Sequence, residues 1–436
     1  MRILIISYYF APSNAIASIR TTKIAKYLQQ LGYEVEIICG PSFMIDPTLE
    51  KDLEYFEQVY VVHGSKLYEQ KQSTSSITCE VPERKTTISQ NKKKLKAALH
   101  FLVKNDLADY LALFNSIIWY MHAKTVIHNT NLKNSDIILS SFGPIGSLLL
   151  AEYLKKKRSK NVWIIDYRDP IILDSQKGLL KLFYVYYQDR ILNKCDISFC
   201  VSDGLKDYLV DRGNVNPIYK IPNGYDIEDI QQGLQDINYG VPLSFSYCGS
   251  LYGGRRDFSV FFKLLRELID EKEIDEANLM VVYAGNDFSI FEKMASKYLL
   301  KGILRNYGTV SRDISLQITR SSDIALLASW NTKESKGIMT GKIYELFLLR
   351  KPIYAFISGD CKNSEIRSVM EETKAGIVYE EFGNYNYENM KQNVKKVYKQ
   401  KLNNEKVTQI YDDEKVQSFS YQEIVKRIDT ILKKYE

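Results

Sequence analysis

The 436-residue sequence predicts an α/β protein built from two doubly wound parallel sheets. Short apolar runs of strand length alternate with segments whose apolar residues recur at helical spacing, and this order builds parallel sheets with helices on both faces. The alternation pauses at a turn near 218–226 and resumes at 243, so each half has the length of one domain. We therefore predict domains at 1–215 and 216–436, and we expect the last helix, about 421–436, to pack back on the first domain.

The composition indicates an ordinary globular protein, with 45% hydrophobic and 26% charged residues. The net charge of +6 is too small over this length to indicate a nucleic-acid partner. The six cysteines are scattered without a C-x-x-C pair, which favours a reducing compartment. The apolar start is too short for a signal peptide, and no run approaches the roughly 20 apolar residues of a membrane span. We expect a cytoplasmic protein.

The first half opens with a strand–helix–strand unit. Residues 2–7 are a continuous apolar strand, a helix with one apolar face begins near residue 18, and 34–39 form the second strand. This is the layout of a dinucleotide-binding fold. However, the loop at 11–17 contains no glycine, which argues against NAD or FAD as a cofactor.

Residues 91–128 predict a long helix, because Leu95, Leu99 and Leu102 lie on one helical face. Lysines surround that face at positions 92, 93, 94, 96 and 104. Two interpretations stay open. The segment is either a solvated helix packed on the first domain, or an interfacial helix at 91–104 that contacts anionic lipid on the inner face of the plasma membrane.

Alternating strands and helices then continue to the end of the chain. The predicted strands lie at 136–141, 162–165, 197–202, 243–247, 279–284, 324–328 and 353–357. The strand at 162–165 runs into the sequence DYRDP at 166–170, which places several charged side chains at the end of a strand. Charged groups at strand ends of a parallel sheet are candidates for a functional site.

The most informative stretch is 321–357, a strand, a polar loop, a helix and a second strand. Thr340 is a suitable N-cap, so the N–H groups of Gly341 and Lys342 would face the crevice at the strand ends. A helix N-terminus binds phosphate, and Lys342 adds a full positive charge. Glu345 lies one turn further on, where it suits a ribose hydroxyl. The stretch predicts a nucleotide-diphosphate site, with an ordinary capped helix as the alternative.

Eight stretches of the chain carry a family resemblance through their order. They are ILIISYYFAPSNAIASIRTTKIAKYLQQLGYEV, DYRDP, ISFCVS, IPNGYD, YCGSLYGGRR, YAGN, SSDIALL and GKIYELFLLRKPI. Together they resemble the retaining glycosyltransferases of family 4, and they span the chain except for residues 50–130. The resemblance implies the GT-B fold, in which two Rossmann-like domains face a central cleft. The first domain would bind the acceptor and the second a sugar nucleotide.

The resemblance also implies a set of donor-binding residues in the second domain. They are Gly249, Arg255, Arg256, Thr340, Gly341, Lys342 and Glu345. Arg255 and Arg256 would face the diphosphate, because a guanidinium matches phosphate oxygens, although a solvated pair in a turn is the alternative. Three places depart from the family pattern. Many family members have paired glycines where this chain has Ala15–Ala17. The first of two family glutamates would fall at Gly337, and Ser250 replaces an arginine common among relatives.

In the first domain, Arg168 and Asp169 fall where relatives carry a His-Asp pair near the transferred sugar. With Lys342 they are the catalytic residues that the resemblance implies. The residues expected to line the cleft are Asn14, Ala15, Arg20 and Asp166. The chain has no D-x-D sequence, so we expect neither a bound metal nor a cofactor. Fixed positive groups would then stabilise the leaving diphosphate.

The sequence therefore predicts a glycosyltransferase that transfers a sugar, with retention of configuration, from a nucleotide sugar to a hydroxyl of a glycan or lipid-linked glycan. A bacterial surface polysaccharide pathway, making capsule or exopolysaccharide, is the expected setting. Two alternatives stay open. One is a sugar-nucleotide epimerase on the same fold, and the other is a non-catalytic glycosyltransferase-like partner subunit, which the missing first glutamate favours.

The lipid-contact hypothesis for residues 91–104 has a direct test. Changing Lys92, Lys93, Lys94 and Lys96 together to Gln should release the protein from anionic vesicles, because each lysine contributes about 1 kcal/mol near such a surface. Co-sedimentation with anionic vesicles should also fall steeply with salt. Equal binding to neutral vesicles, or binding to neither kind, would contradict the hypothesis.

Overall fold

The computed structural model describes residues 1–65, 90–130, 132, 135–172, 176–230, 236–240 and 242–435, with side chains described for all of these except 90–108. The chain divides into two compact units. The first comprises Met1–Val201, Leu205–Ile221 and Arg427–Glu436, and the second comprises Ser202–Gly204 and Pro222–Lys426. The sequence prediction put the division between residues 215 and 216, a few residues earlier in the chain.

The first unit is organised around a parallel sheet of seven strands. The strands are β1 Arg2–Ile6, β2 Glu34–Cys39, β3 Val59–Val61, β4 Ile137–Ser141, β5 Val162–Tyr167, β6 Ile197–Cys200 and β7 Ile218–Lys220. Their order is β3-β2-β1-β4-β5-β6-β7, so the direction of winding reverses between β1 and β4. The central strands are apolar runs rich in isoleucine, as expected for strands that are buried on both faces.

The described residues of this half of the chain form six α-helices. They are α1 Ile16–Gln30, α2 Pro47–Asp52, α3 Gln90–Asn129, α4 Gly146–Lys157, α5 Gly178–Ile191 and α6 Asp203–Asp211. Helix α3 confirms the predicted helix at 91–128 and packs on α4. The backbones approach closely there, since a Cβ at Gly146 would lie 2.5 Å from the Ser116 carbonyl oxygen. The lipid-contact hypothesis stays a prediction, because the side chains of 91–104 lie outside the described residues.

The core of the first unit contains two fully buried tryptophans, Trp119 and Trp163. The indole N–H of Trp163 donates to the Ser140 hydroxyl at 2.8 Å, which satisfies a polar group that burial would otherwise leave without a partner. Of the helices within the described part of the chain, none has the length and apolar character needed to cross a membrane.

The second unit contains a parallel sheet of six strands. The strands are β8 Leu243–Cys248, β9 Leu279–Ala284, β10 Leu304–Asn306, β11 Ile324–Trp330, β12 Ile353–Ser358 and β13 Gly376–Glu380. Their order is β10-β9-β8-β11-β12-β13, with the winding reversed between β8 and β11. The four strands predicted after residue 240 are confirmed, with β8, β11 and β12 extending one or two residues further than expected.

The helices of the second unit cover both faces of this sheet. They are α7 Ser259–Asp270, α8 Phe288–Ser296, α9 Arg312–Ser321, α10 Lys342–Leu349, α11 Glu365–Thr373, α12 Tyr387–Leu402 and α13 Asp413–Gln417. The last helix, α14 Tyr421–Leu432, starts in the second unit and ends among residues assigned to the first. Within the first unit, the Tyr33 hydroxyl donates to Asp429 at 2.6 Å, which attaches the end of α14 to the start of β2.

Helix α10 is held in place by its apolar face. Ile343, Leu346 and Phe347, the spacing that predicted this helix, are at most 5% exposed. They join a core cluster with strands β11 and β12. The helix ends at Arg350, which has a left-handed φ of 52°, and Pro352 prevents its continuation. The N-terminus of α10 is therefore positioned by buried packing.

Gly376, the first residue of β13, packs closely against Ile353 of β12. A Cβ at Gly376 would lie 1.9 Å from the Ile353 carbonyl oxygen, and the backbone there has a φ of +152°. Gly376→Ala should therefore lower the free energy of unfolding by about 3 kcal/mol in denaturant titration. Gly383→Ala is the matched control, because its φ of +71° is also unfavourable but no atom lies within 4 Å. Equal losses in the two variants would contradict the packing argument.

Candidate functional site

The candidate site lies at the carboxyl ends of β8 and β11, where the winding of the second sheet reverses. Ligands of open parallel sheets bind at such a reversal, because the loops that follow the two strands diverge and leave a crevice. The loop after β8 supplies Arg256, and the loop after β11 leads to Thr340 and helix α10. The topology thus brings together two segments that the sequence analysis had singled out separately.

The loop after β8 is anchored by Asp287. One carboxylate oxygen of Asp287 accepts hydrogen bonds from the Ser250 hydroxyl and the Leu251 N–H, both at 2.7 Å. The Tyr283 hydroxyl donates to the Gly249 carbonyl oxygen at 3.1 Å. Ser250, at the position where the family resemblance implied an arginine, therefore acts here as an anchor of the loop.

Arg256 is 8% exposed and is held by neutral groups. Its guanidinium donates to the Ser250 carbonyl oxygen at 3.0 Å, to the Tyr247 hydroxyl at 3.3 Å and to the Thr340 hydroxyl at 3.1 Å. Its Nε is buried without a hydrogen-bond acceptor in the described residues. No described carboxylate lies within 4.0 Å of it. A buried charge without a counter-charge is unfavourable, so this position is suited to an anionic ligand.

Arg255 lies in a different environment from its neighbour. Its side chain is exposed, and its guanidinium carbon lies 5.7 Å from the centre of the Trp330 ring. The structure therefore separates two residues that the sequence analysis treated as a pair. Arg256 faces the interior of the site, whereas Arg255 lies at the surface beside an aromatic ring.

Thr340 connects Arg256 to the start of α10. Gly341 already has helical dihedrals, with φ −59° and ψ −22°, and the Thr340 hydroxyl accepts from the Lys342 N–H at 3.4 Å. Thr340 therefore has the geometry of an N-cap. Since the same hydroxyl also accepts from Arg256, the guanidinium lies against the N-terminus of the helix. Both groups contribute positive potential to one place.

Lys342 and Glu345 contact each other, with the ammonium 2.6 Å from one carboxylate oxygen. The other oxygen of Glu345 lies 3.3 Å from Nε of Arg312, at the start of α9. Arg312 in turn contacts Asp229 at 2.9 Å, and Asp229 is 2% exposed. Sequence analysis missed Arg312 and Asp229, because they are far from residue 345 in the chain and neither lies in a recognisable motif.

The contact between Lys342 and Glu345 keeps both groups charged at neutral pH. Burial raises the pKa of Glu345, but the positive charges of Lys342 and Arg312 outweigh it, so its pKa is lower than usual. Burial lowers the pKa of Lys342, but Glu345 outweighs that effect and its pKa is raised. The site therefore offers a fixed carboxylate and a fixed ammonium side by side.

In the first unit, Arg168 and Asp169 follow β5. The Arg168 guanidinium donates to the Phe142 carbonyl oxygen at 2.6 Å and to the Ser141 hydroxyl at 3.1 Å, while Asp169 is exposed. Burial lowers the pKa of Arg168. The loop accommodates this side chain because Gly143 has no Cβ, which would otherwise lie 2.8 Å from Nη2. Arg168 thus supports the loop after β4, and its catalytic role stays a prediction.

Arg20 and Asp166 form a buried ion pair instead of presenting polar surface. Nε and Nη2 of Arg20 lie 2.9 and 2.6 Å from the two carboxylate oxygens, and both residues are at most 2% exposed. A carboxylate buried near a strand end needs a paired cation. The expectation that these two residues line a cleft stays a prediction. Asn14 is exposed and Ala15 is half-buried at the start of α1.

The sequence lacks the first of the two family glutamates and has no D-x-D metal-binding sequence. Residue 337, where the family's first glutamate would fall, has a left-handed φ of +68°, a conformation that favours the glycine present there. Across the described ranges, no group of three His, Cys, Asp or Glu residues is placed to hold a metal ion. Independence from metal nevertheless stays a prediction.

Comparison with known proteins identifies the architecture. No protein-family profile matches the chain, and no curated protein does. Among solved structures, sucrose-phosphate synthase from Thermosynechococcus elongatus is similar over 100% of this chain and 98% of its own, with a TM-score of 0.60 and 10% identity. The chain has the GT-B fold. The lipopolysaccharide outer core galactosyltransferase WaaB covers 100% of both chains, with a TM-score of 0.55 and 14% identity.

A structure described as an epimerase is also similar to this chain. A UDP-N-acetylglucosamine 2-epimerase from Listeria monocytogenes, described as putative, matches 99% of this chain and 95% of its own, with a TM-score of 0.51 and 12% identity. At these identities the likeness establishes the GT-B fold and leaves the activity open. Membership of glycosyltransferase family 4 stays a prediction.

The charge network makes a prediction about pH and stability. Glu345→Gln should lower the free energy of unfolding at pH 7 by about 2 kcal/mol, because two cations lose a partly exposed carboxylate. The pKa of Glu345 in the folded state is below its ordinary value. The stabilisation is therefore fully present at pH values above the ordinary pKa, and it is lost as the pH falls through the folded-state pKa. The free energies of unfolding of wild type and Glu345→Gln, measured by urea titration, should therefore become equal in acid.

Glu334→Gln is the matched control for that titration, because Glu334 is an exposed carboxylate in the preceding loop. It should leave the free energy of unfolding within about 0.5 kcal/mol of wild type at every pH. A Glu345→Gln loss that stayed constant down to low pH would show that the carboxylate charge is not what stabilises α9 and α10.

Proposed function

We propose that this protein is a glycosyltransferase that transfers a sugar from a nucleotide-sugar donor to a hydroxyl of a glycan or lipid-linked glycan. The observation that carries the proposal is the buried guanidinium of Arg256, whose hydrogen-bond partners among the described residues are all neutral and which lies against the N-terminus of α10. A diphosphate provides the negative charge that this position lacks, and its oxygens match the hydrogen-bonding geometry of a guanidinium.

Residues near Arg256 are suited to bind other parts of a nucleotide sugar. Each oxygen of Glu345 already accepts a hydrogen bond from one cation, but a carboxylate oxygen has two acceptor sites, so a ribose hydroxyl can still donate to it. Lys342 is the first residue of α10, and its ammonium contacts this carboxylate. It is thereby suited to stabilising the negative charge that grows on the diphosphate as the sugar leaves.

The finer parts of the proposal rest on the family resemblance. They are retention of configuration, membership of family 4, a place in bacterial surface polysaccharide synthesis, and action in the cytoplasm at the inner face of the plasma membrane. Arg168 and Asp169 are proposed to lie near the transferred sugar. The reaction is proposed to need no metal or cofactor, because fixed positive groups meet the charge of the leaving diphosphate.

A second candidate function is epimerisation of a sugar nucleotide, which the likeness to an epimerase structure favours. The two functions differ in what they require. A transferase releases nucleoside diphosphate in proportion to the acceptor supplied, whereas an epimerase changes the sugar nucleotide without any acceptor. Incubation of the protein with each donor, with and without glycan acceptors, separates them.

The binding test uses Arg256→Gln with a panel of UDP, GDP, ADP and dTDP sugars and the free diphosphates. Wild-type protein should be stabilised by roughly 2.7 kcal/mol at 100 times Kd of its own donor. Arg256→Gln should lose that stabilisation, because the diphosphate would lose its charged partner. Thermal unfolding monitors both the binding and the integrity of the fold.

Arg305→Gln is the control, since Arg305 is an exposed arginine on the edge strand β10. It should respond to nucleotides as wild type does. The proposal would be overturned if no diphosphate stabilised the wild-type protein, or if Arg256→Gln kept the full response while remaining folded.

A further inference from the structure

An aromatic pair lies next to Arg256 at the carboxyl ends of β8 and β11. The rings of Tyr252 and Trp330 are 5.7 Å apart, centre to centre, at an angle of 57°. Tyr252 is 53% exposed, and its ring centre lies 4.5 Å from the guanidinium carbon of Arg256. The guanidinium thus has an aromatic ring on one side, and much of that ring remains open to a ligand.

The backbone at Tyr252 is unusual for such a side chain. Its φ is 50°, in the left-handed region where a bulky residue other than glycine is an outlier. The conformation is held locally, because the Tyr252 N–H donates to the Ser250 hydroxyl at 3.2 Å and that hydroxyl donates to Asp287. Outliers of this kind persist where surrounding structure imposes them, and they concentrate at ligand sites.

Trp330 adds a polar group to the same place. It is the last residue of β11, and its indole N–H is buried without an acceptor in the described residues. A buried donor of this kind is uncommon and needs an explanation. The pair therefore combines an exposed aromatic surface with a donor that lacks a partner.

We propose that Tyr252 and Trp330 form the subsite for the glycosyl group of the nucleotide sugar, an inference that rests on the proposed function. In a nucleotide sugar, the glycosyl carbon is bonded to an oxygen of the terminal phosphate. The sugar must therefore lie next to the group that holds the diphosphate. The Tyr252 ring is suitably placed, because its centre lies 4.5 Å from the guanidinium carbon of Arg256.

The chemistry of the pair matches a pyranose ring. One face of a pyranose presents C–H groups, which pack on an aromatic ring, while its edge carries hydroxyl groups that need hydrogen-bond partners. Tyr252 supplies an apolar surface, and the Trp330 N–H supplies a donor. The ligand class is thus a pyranosyl group attached to a nucleoside diphosphate.

The test compares the dissociation constants of a nucleoside diphosphate and the matching sugar nucleotide, using the pair that wild type binds best among UDP, GDP, ADP and dTDP sugars. Tyr252→Asn removes the ring but tolerates the left-handed backbone. It should weaken the sugar nucleotide about tenfold relative to the free diphosphate. Tyr252→Phe keeps the ring and should preserve the wild-type ratio. Calorimetric titration measures both dissociation constants for each protein.

The outcomes separate this inference from the proposed function. If Tyr252→Asn binds the free diphosphate normally and leaves the ratio unchanged, the subsite is wrong while the diphosphate site stands. Equal weakening of both ligands also overturns the subsite, since the ring would then act through Arg256. If wild type binds none of the diphosphates, the proposed function fails and the inference fails with it.

Discussion

The carboxylate of Glu345 joins the parts of the second unit that make up its candidate site. Its two oxygens contact Lys342 on its own helix and Arg312 on the preceding helix, and Arg312 contacts the buried Asp229. Four side chains from three segments are therefore tied by alternating charge. Because none of them is fully solvated, their attraction is less screened than that of a surface pair. The start of α10 is held where the loop after β8 can reach it.

The two units differ in the partners that they provide for a buried arginine. In the first unit, Arg20 has a buried carboxylate partner in Asp166, and charge is balanced within the protein. In the second unit, Arg256 has hydroxyl and carbonyl partners but no carboxylate within reach in the described residues. Burial of a cation is tolerated when a counter-charge is available. The difference between the two arginines is the strongest structural reason to assign an anionic ligand to the second unit.

Two polar residues that follow strands hold neighbouring loops in place. Arg168 supports a loop by binding the carbonyl oxygen of Phe142, and Ser250 anchors another through Asp287. Charged and polar residues at strand ends have two uses, since they can bind a ligand or satisfy the backbone groups of neighbouring loops. The sequence pattern is the same in both cases, and only the position of the partner distinguishes them.

The sequence by itself determined the longer strands and the helix that begins at Lys342, but it did not predict the strands β3, β7, β10 and β13. Apolar runs and the spacing of Ile343, Leu346 and Phe347 report local periodicity, which depends on neighbours along the chain. The doubly wound α/β class and the Thr340–Glu345 segment were accessible for that reason, whereas the GT-B fold was implied only by the family resemblance. Only the tertiary structure decided which charges meet. The partners of Glu345 and Arg256 come from distant segments, and contacts between such segments depend on how the sheet and helices pack, which periodicity does not encode.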